Sequence, residues 1–215
     1  MRWSDVLVNS EEREATTNRI NGVVVGVVTN NQDPDGMGRV KVKFPWLSDA
    51  DESFWARVAV PMAGKERGFY FLPEVDDEVL VAFEHGDARF PYVLGALWNG
   101  KDAPPAKNDD GKNNVRVIKS RSGHVIRLTD EGGKEKIEII DKSKKNSVVF
   151  DTSKNKITIT ADKEILLSAP NGTIKLEAKE IEIKSSAGAK IKSGAGLDVE
   201  ASATMKIKGQ AVNIN

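Results

Sequence analysis

The sequence contains no cysteine, so disulfides and thiolate-held metals are excluded. Aromatic residues make up only 6% of its 215 positions, too few to fill a large globular core with bulky rings. Histidine occurs only at positions 85 and 124, which leaves little material for imidazole chemistry. No apolar run approaches the ~20 residues of a membrane-spanning helix. The opening MRWSDVLVNSEEREATTNR lacks the apolar centre of a secretory signal. Neither sign of charge is in excess, since 32 basic residues balance 32 acidic ones. These features fit a chain made in a reducing cytoplasm better than a small disulfide-stapled secreted domain.

The charge is unevenly divided. Residues 21–104 hold 8 basic against 13 acidic side chains, and residues 105–215 hold 21 against 15. The basic excess is interleaved with acids along the chain. A nucleic-acid footprint needs clustered cations, and none is present.

Four segments follow from composition. Residues 1–20 are polar apart from Trp3, Val6, Leu7 and Val8, and are expected to be an N-terminal arm. Residues 21–100 alternate short Val/Phe/Tyr-rich runs with turn clusters such as NNQDPDGMG. That spacing predicts a small all-β barrel of five or six strands, of the oligonucleotide/oligosaccharide-binding (OB) type. Residues 101–114, with Pro104-Pro105 followed by Asn, Asp, Gly and Lys, read as a linker. Residues 115–215 are periodic.

The period is carried by pairs of apolar residues two positions apart. One ladder runs Leu128, Ile139, Phe150, Ile159, and continues to Ile214 in steps that shorten from 11 to about 8 residues. A companion stands two residues earlier each time, beginning at Ile126, Ile137 and Val148. The residue between them is usually polar, which is the alternation of a strand with one buried face. Small residues at 168–172, 185–188 and 193–196 supply the corners. The wider early steps, with turns such as Glu131-Gly132-Gly133-Lys134, predict β-hairpins.

Eight residues per repeat are too few for a single chain to enclose a packed interior, because one-chain coils spend ~20 or more residues per turn. Three copies solve this, each forming one side of a triangular prism and closing the strand edges of its neighbours. The expectation is an intertwined trimeric β-helix, a needle on the order of 50 Å long at ~4.8 Å per strand. Its axis would be lined by Ile157, Ile159, Ile165, Leu167, Ile174, Leu176, Ile181, Ile183, Ile191, Leu197, Val199, Met205, Ile207, Val212 and Ile214. The competing readings are an amyloid-like Lys/Ser/Ile repeat and a one-chain solenoid. Against the first, charges interrupt every strand.

The barrel resembles the VgrG and phage baseplate assembly protein V family, the central spikes of contractile injection machines. The resemblance rests on VGVVTNNQDPDGMGRVKVKFPWL at 25–47 and on FWARVAVPMAGKERGFYFLPEVDDEVLVAFEHGDARFPYVLGALWNG at 54–100. It extends to SRSGHVIRL and GGKEKIEI within 119–139. It implies a homotrimer of OB barrels carrying a needle, assembled in the cytoplasm into a virion tail or injection particle and driven through a target envelope. It also implies a PAAR-repeat tip protein, with Asn213, Ile214 and Asn215 as its contact. The large hub region of VgrG proteins does not precede this barrel, so a separate hub protein is expected above it. No lysozyme domain stands between barrel and repeats. The C-terminus lacks the His-x-His pair with which some needle tips bind a metal.

No catalytic, cofactor-binding or metal-binding residue is expected. His85 sits between Glu84 and Asp87, the one place where a histidine and carboxylates cluster, but the family pattern makes it a turn. His124 follows Ser122-Gly123, which is not a triad spacing. Asp33-Pro34-Asp35-Gly36 faintly resembles a cation loop, and turn chemistry accounts for it. The GxxxG of Gly64–Gly68 is polar and so not a membrane dimerisation motif. Trp46, Trp55, Phe69 and Tyr70 are expected in the barrel core and the trimer contact. The alternative is an OB-fold nucleic-acid or polysaccharide-binding module, stacking bases on those rings, with a trimerising stalk.

Overall fold

A computed structural model describes residues 19–46 and 52–213. Most of the arm at 1–20, together with Leu47, Ile214 and Asn215, lies outside the described residues. The chain divides into two compact units, one ending at Lys163 and the other beginning at Glu164.

The first unit opens with a barrel. Strand β1 (Val23–Asn30) pairs antiparallel with β2 (Lys41–Lys43) on one side and with β6 (Glu78–Phe83) on the other. β6 pairs with β7 (Pro91–Ala96), and β7 runs parallel to β3 (Arg57–Val58). The order β2-β1-β6-β7-β3 would leave two edges. Bridges from Val40 to Ala56 and from Lys43 to Glu52 join those edges, so the sheet closes on itself and is all-β, as expected. The Gly64–Gly68 motif forms a small hairpin of β4 (Ala63–Gly64) and β5 (Arg67–Gly68).

Period-two alternation explains which residues enter the barrel. β6 buries Val79, Val81 and Phe83, and β1 turns Gly26 and Val28 inward while Val23 and Val25 face out. Val40, Val42, Ala56 and Val93 complete an interior of small side chains, and Phe44 and Phe83 meet with ring centroids 5.7 Å apart. The expectation that Trp46, Trp55, Phe69 and Tyr70 fill this core is corrected. Tyr70 is 78% exposed, Trp46 and Phe69 are about half exposed, and Trp55 lies under the cations of Arg39 and Lys41 at 5.8 and 5.7 Å. A narrow five-stranded barrel has no room for an indole. At Gly26 even a methyl would come within 2.3 Å of Val42 Cγ1.

The loop from β1 to β2 is built around Asp33. Its carboxylate accepts backbone N–H groups of Asp35, Met37 and Arg39, and is gripped by Arg39 Nε at 2.9 Å and Nη2 at 2.7 Å. Gly36, with φ of +65°, donates its N–H to the Asp33 carbonyl, a conformation that favours glycine. The loop therefore carries its own cation. Arg39 holds the Asp33 carboxyl well below the usual carboxylate range.

Residues 101–114 form no strand and are organised by turns, with Asn99 Oδ1 accepting from Lys101 and Asp102 and Asn108 Oδ1 from Asn113. A five-stranded antiparallel meander follows: β8 (Val115–Lys119), β9 (Val125–Thr129), β10 (Lys136–Ile140), β11 (Ser147–Asp151) and β12 (Lys156–Thr160). These are the expected hairpins. In the Glu131–Lys134 turn, Lys134 N–H donates to the Glu131 carbonyl at 2.8 Å.

Two outcomes check this description. Gly26→Ala overpacks the barrel and should destabilise it by about 1–3 kcal/mol, whereas Gly95→Ala, which meets nothing within 4 Å, should change stability by less than about 0.5 kcal/mol. Denaturant titration measures both. Asp33→Asn keeps the backbone acceptor but removes the charge, and should lower the barrel's melting temperature at pH 7. A depressed folded-state pKa stabilises above the unfolded carboxylate value of about 4 and is lost as pH falls below it. The deficit of the Asn variant should therefore shrink as thermal melts are run toward pH 3.

Candidate assembly surface

The meander gathers apolar side chains onto one face by its register. Ile118 lies opposite Ile126, Ile126 opposite Ile139, Ile139 opposite Val148, and Val148 opposite Ile159. A second row joins Leu128, Ile137, Phe150 and Ile157. Directly opposed residues share a face, so both ladders read from the sequence stand together there, with Ile157 and Ile159 on the edge strand. Ile118 is an addition to the ladder. Its partner position two residues earlier is Arg116, which contacts Asp130, so the apolar pair is broken at the first strand. Apart from the partly covered Val148, these residues are exposed.

In the second unit the same pattern continues without a sheet. Among the described residues, 161–213 form no strand pairing. The backbone is extended, with bends or turns at 162–163, 170–172, 179, 186–187, 194–195, 202–203 and 210. The eight-residue step is thus a geometric period as well as a compositional one. Serines fasten two of the corners. Ser185 Oγ donates to the Gly188 carbonyl at 2.8 Å and accepts the Gly188 N–H, and Ser193 Oγ donates to the Gly196 carbonyl at 2.6 Å. A hydroxyl satisfying nearby backbone groups is the usual chemistry of a tight turn.

Between these corners fall Ile165 and Leu167, Ile174 and Leu176, Ile181 and Ile183, Leu197 and Val199, and Met205 and Ile207, with Ile191 and Val212 in the remaining repeats. All of them are exposed, from 47% for Met205 to 76% for Ile191 and 78% for Ile183. Asn213, the last described residue, is exposed as well. Burying a large aliphatic side chain contributes about 1.5–3 kcal/mol. Each repeat also leaves backbone donors and acceptors without a strand partner. A row of such pairs is a long exposed apolar stripe, the kind of surface that marks interaction sites.

The residues weighed for chemistry are engaged elsewhere. Beside His85, the Glu84 carboxylate accepts the Tyr92 hydroxyl and raises its pKa. Arg89 holds Asp87 through both oxygens and draws its carboxyl down to about 2. His85 itself sits in the turn at φ of +50°. His124 Nδ1 accepts the Lys142 backbone N–H at 3.2 Å, and the His124 backbone N–H donates to Ser120 Oγ at 3.0 Å, tying adjacent turns of the meander. Among the described residues no group of three His, Asp or Glu side chains is arranged to hold a metal. Among them, too, no helix is long and apolar enough to cross a membrane.

Comparison with known proteins gives these surfaces a context. The family described as the type VI secretion system/phage-baseplate injector OB domain matches residues 24–98, which is the barrel. The type VI secretion system spike protein VgrG3 of Vibrio cholerae is 31% identical over 131 residues, covering 55% of this chain and 13% of its own length. The spike protein VgrG1a of Pseudomonas aeruginosa is 31% identical over 143 residues, 61% of this chain and 22% of that protein. The actin cross-linking toxin VgrG1 of Vibrio cholerae is 33% identical over 111 residues, 48% of this chain and 10% of that one. The matched stretch therefore spans less than a quarter of each of these relatives. The five-stranded barrel is thus an OB domain of the type VI secretion system/phage-baseplate injector kind, in a chain that is similar over about half its length to type VI secretion spike proteins.

Proposed function

We propose that this protein is the structural spike of a contractile injection machine, a homotrimer that punctures the target envelope when the sheath contracts. The observation that carries the reading is the eight-residue train of apolar pairs, fully extended and exposed in one chain, attached to an injector-type barrel. In this reading residues 21–100 are the barrel, 101–114 the linker and 115–215 the needle. The apolar face of the meander forms one wall of a prism, and the extended repeats wrap with those of two other copies. The exposed aromatics of the barrel, Trp46, Phe69 and Tyr70, supply contacts between barrels. A separate hub protein sits above the barrel, and a PAAR-repeat protein caps the needle at Asn213, Ile214 and Asn215. The protein works by stiffness and not by catalysis. It is assembled in the cytoplasm, becomes part of a tail or injection particle, and meets the target membrane only in passing.

Solution mass measurement on the whole chain should find a trimer that survives dodecyl sulfate without heating, and removal of residues 157–215 should abolish that resistance. A monomer would overturn the reading. Ile183→Asp places three carboxylates on the needle axis, where low dielectric opposes ionisation. It should reduce the trimer fraction at least tenfold at pH 7 while the barrel's circular dichroism persists. Because burial raises a carboxyl pKa, trimer should partly return near pH 4.

A further inference from the structure

Each repeat of the second unit carries two outward positions, one between its apolar residues and one just after them. In the five repeats from Ile174 to Lys208 both are charged every time. The first position reads Lys175, Glu182, Lys190, Asp198, Lys206, and its sign changes at every step. The second reads Glu177, Lys184, Lys192, Glu200, Lys208, and its sign changes at every step except from Lys184 to Lys192. All ten side chains are exposed. The two positions lie on one side of the extended backbone, as period two requires. In the repeat at 181–184, Lys184 Nζ reaches Glu182 Oε1 at 2.7 Å.

Strands in a ladder lie ~4.8 Å apart, close enough for like charges directly opposite to destabilise and opposite charges to stabilise. The alternation therefore discriminates between ways of stacking repeats. If repeat n lies on repeat n of another copy, every charge faces its own duplicate. If it lies on repeat n+2, Lys175 faces Lys190, Glu182 faces Asp198, and Lys190 faces Lys206. The n to n+1 arrangement pairs opposite signs at all four steps of the first column and at three of four in the second, where Lys184 meets Lys192, whereas the n to n+2 arrangement does so at none of three in the first and two of three in the second. Within one chain the described residues of 161–213 pair with no strand, so the neighbour of each repeat has to come from another copy.

We propose that these outward charges are a register code between copies of this chain, selecting a one-repeat stagger and rejecting the flat in-register stack that leads to amyloid-like assembly. The code rests on the trimeric needle proposed above and specifies how its chains recognise one another. One exposed ion pair contributes little. Here the pairing recurs through successive layers and on every face of the needle, so its sum separates registers that apolar side chains alone leave equivalent. The apolar pairs differ in size, from Ala189 with Ile191 to Ile181 with Ile183, but all are uncharged and carry no sign by which to reject a wrong register.

The test is charge reversal in the full-length protein. Asp198→Lys with Glu200→Lys makes three successive layers wholly basic. It should lower the melting temperature of the trimer by several degrees at low salt, and 1 M salt should remove most of that fall. Adding Lys190→Glu, Lys192→Glu, Lys206→Glu and Lys208→Glu inverts the flanking layers too and restores as many opposed signs as the natural sequence has. This six-fold variant should recover the lost stability. Net charge does not explain such a recovery: from a starting value of zero, the two variants carry equal and opposite net charges. If the unaltered chain is no trimer, the needle reading itself fails. If it is a trimer and the double reversal melts like the unaltered protein, or the six-fold variant does not recover, the register code alone is overturned.

Discussion

Every extended residue carries one N–H and one C=O that must find a partner, and a strand cannot supply its own. This chain meets the requirement in three different ways from one end to the other. The barrel meets it by closure, because the Val40–Ala56 and Lys43–Glu52 bridges join the edges that β2 and β3 would otherwise leave. The meander meets it for its three inner strands and leaves β8 and β12 with one open side each. The residues at 161–213 have no ladder at all among those described. Burial follows the same gradient. The barrel hides Val28, Val79, Val81 and Val93 entirely, the meander leaves Ile118 and Ile139 about half exposed, and Ile183 and Ile191 stand almost free. A polypeptide rarely keeps such surface to itself.

Much of this was legible because period two is a strong signal. The alternation in EVLVAF and the pairs at Ile181 and Ile183 or Met205 and Ile207 each name a face without any knowledge of the fold. The corners were legible for a similar reason, since runs such as Ser185–Gly188 and Ser193–Gly196 contain only small residues that turn easily, and the observed bends fall on them. The barrel core was less so. Large rings look like core material, but interior width is set by strand number and closure, which no single strand encodes. Gly26, seated against Val42, is the residue that reveals how narrow the interior is. Ile118 was hidden for a different reason. Arg116 occupies the place where its apolar companion would stand, and only the pairing of β8 with β9 puts Ile118 in line.

The acidic groups show a second kind of economy. Asp33 and Asp87 are each clamped by an arginine within the same loop, and Asp141 is drawn down to about 2 by Ser143 and Asn146. These carboxylates hold turns shut. Each of these charges is spent within its own loop.

The outward charges of the repeats complete the argument from pairing. Backbone hydrogen bonds and apolar pairs favour stacking of these strands in general, but both are nearly blind to which repeat meets which. Register errors are the characteristic hazard of repetitive β-structure, and the proposed needle of identical copies would face that hazard at every layer. Side chains that point away from the axis are the only ones free to differ in sign from repeat to repeat without disturbing the interior. Lys190 and Lys192 against Asp198 and Glu200, and these in turn against Lys206 and Lys208, place the largest charge contrast in the most regular part of the chain. There the eight-residue step is constant, and the apolar side chains discriminate least.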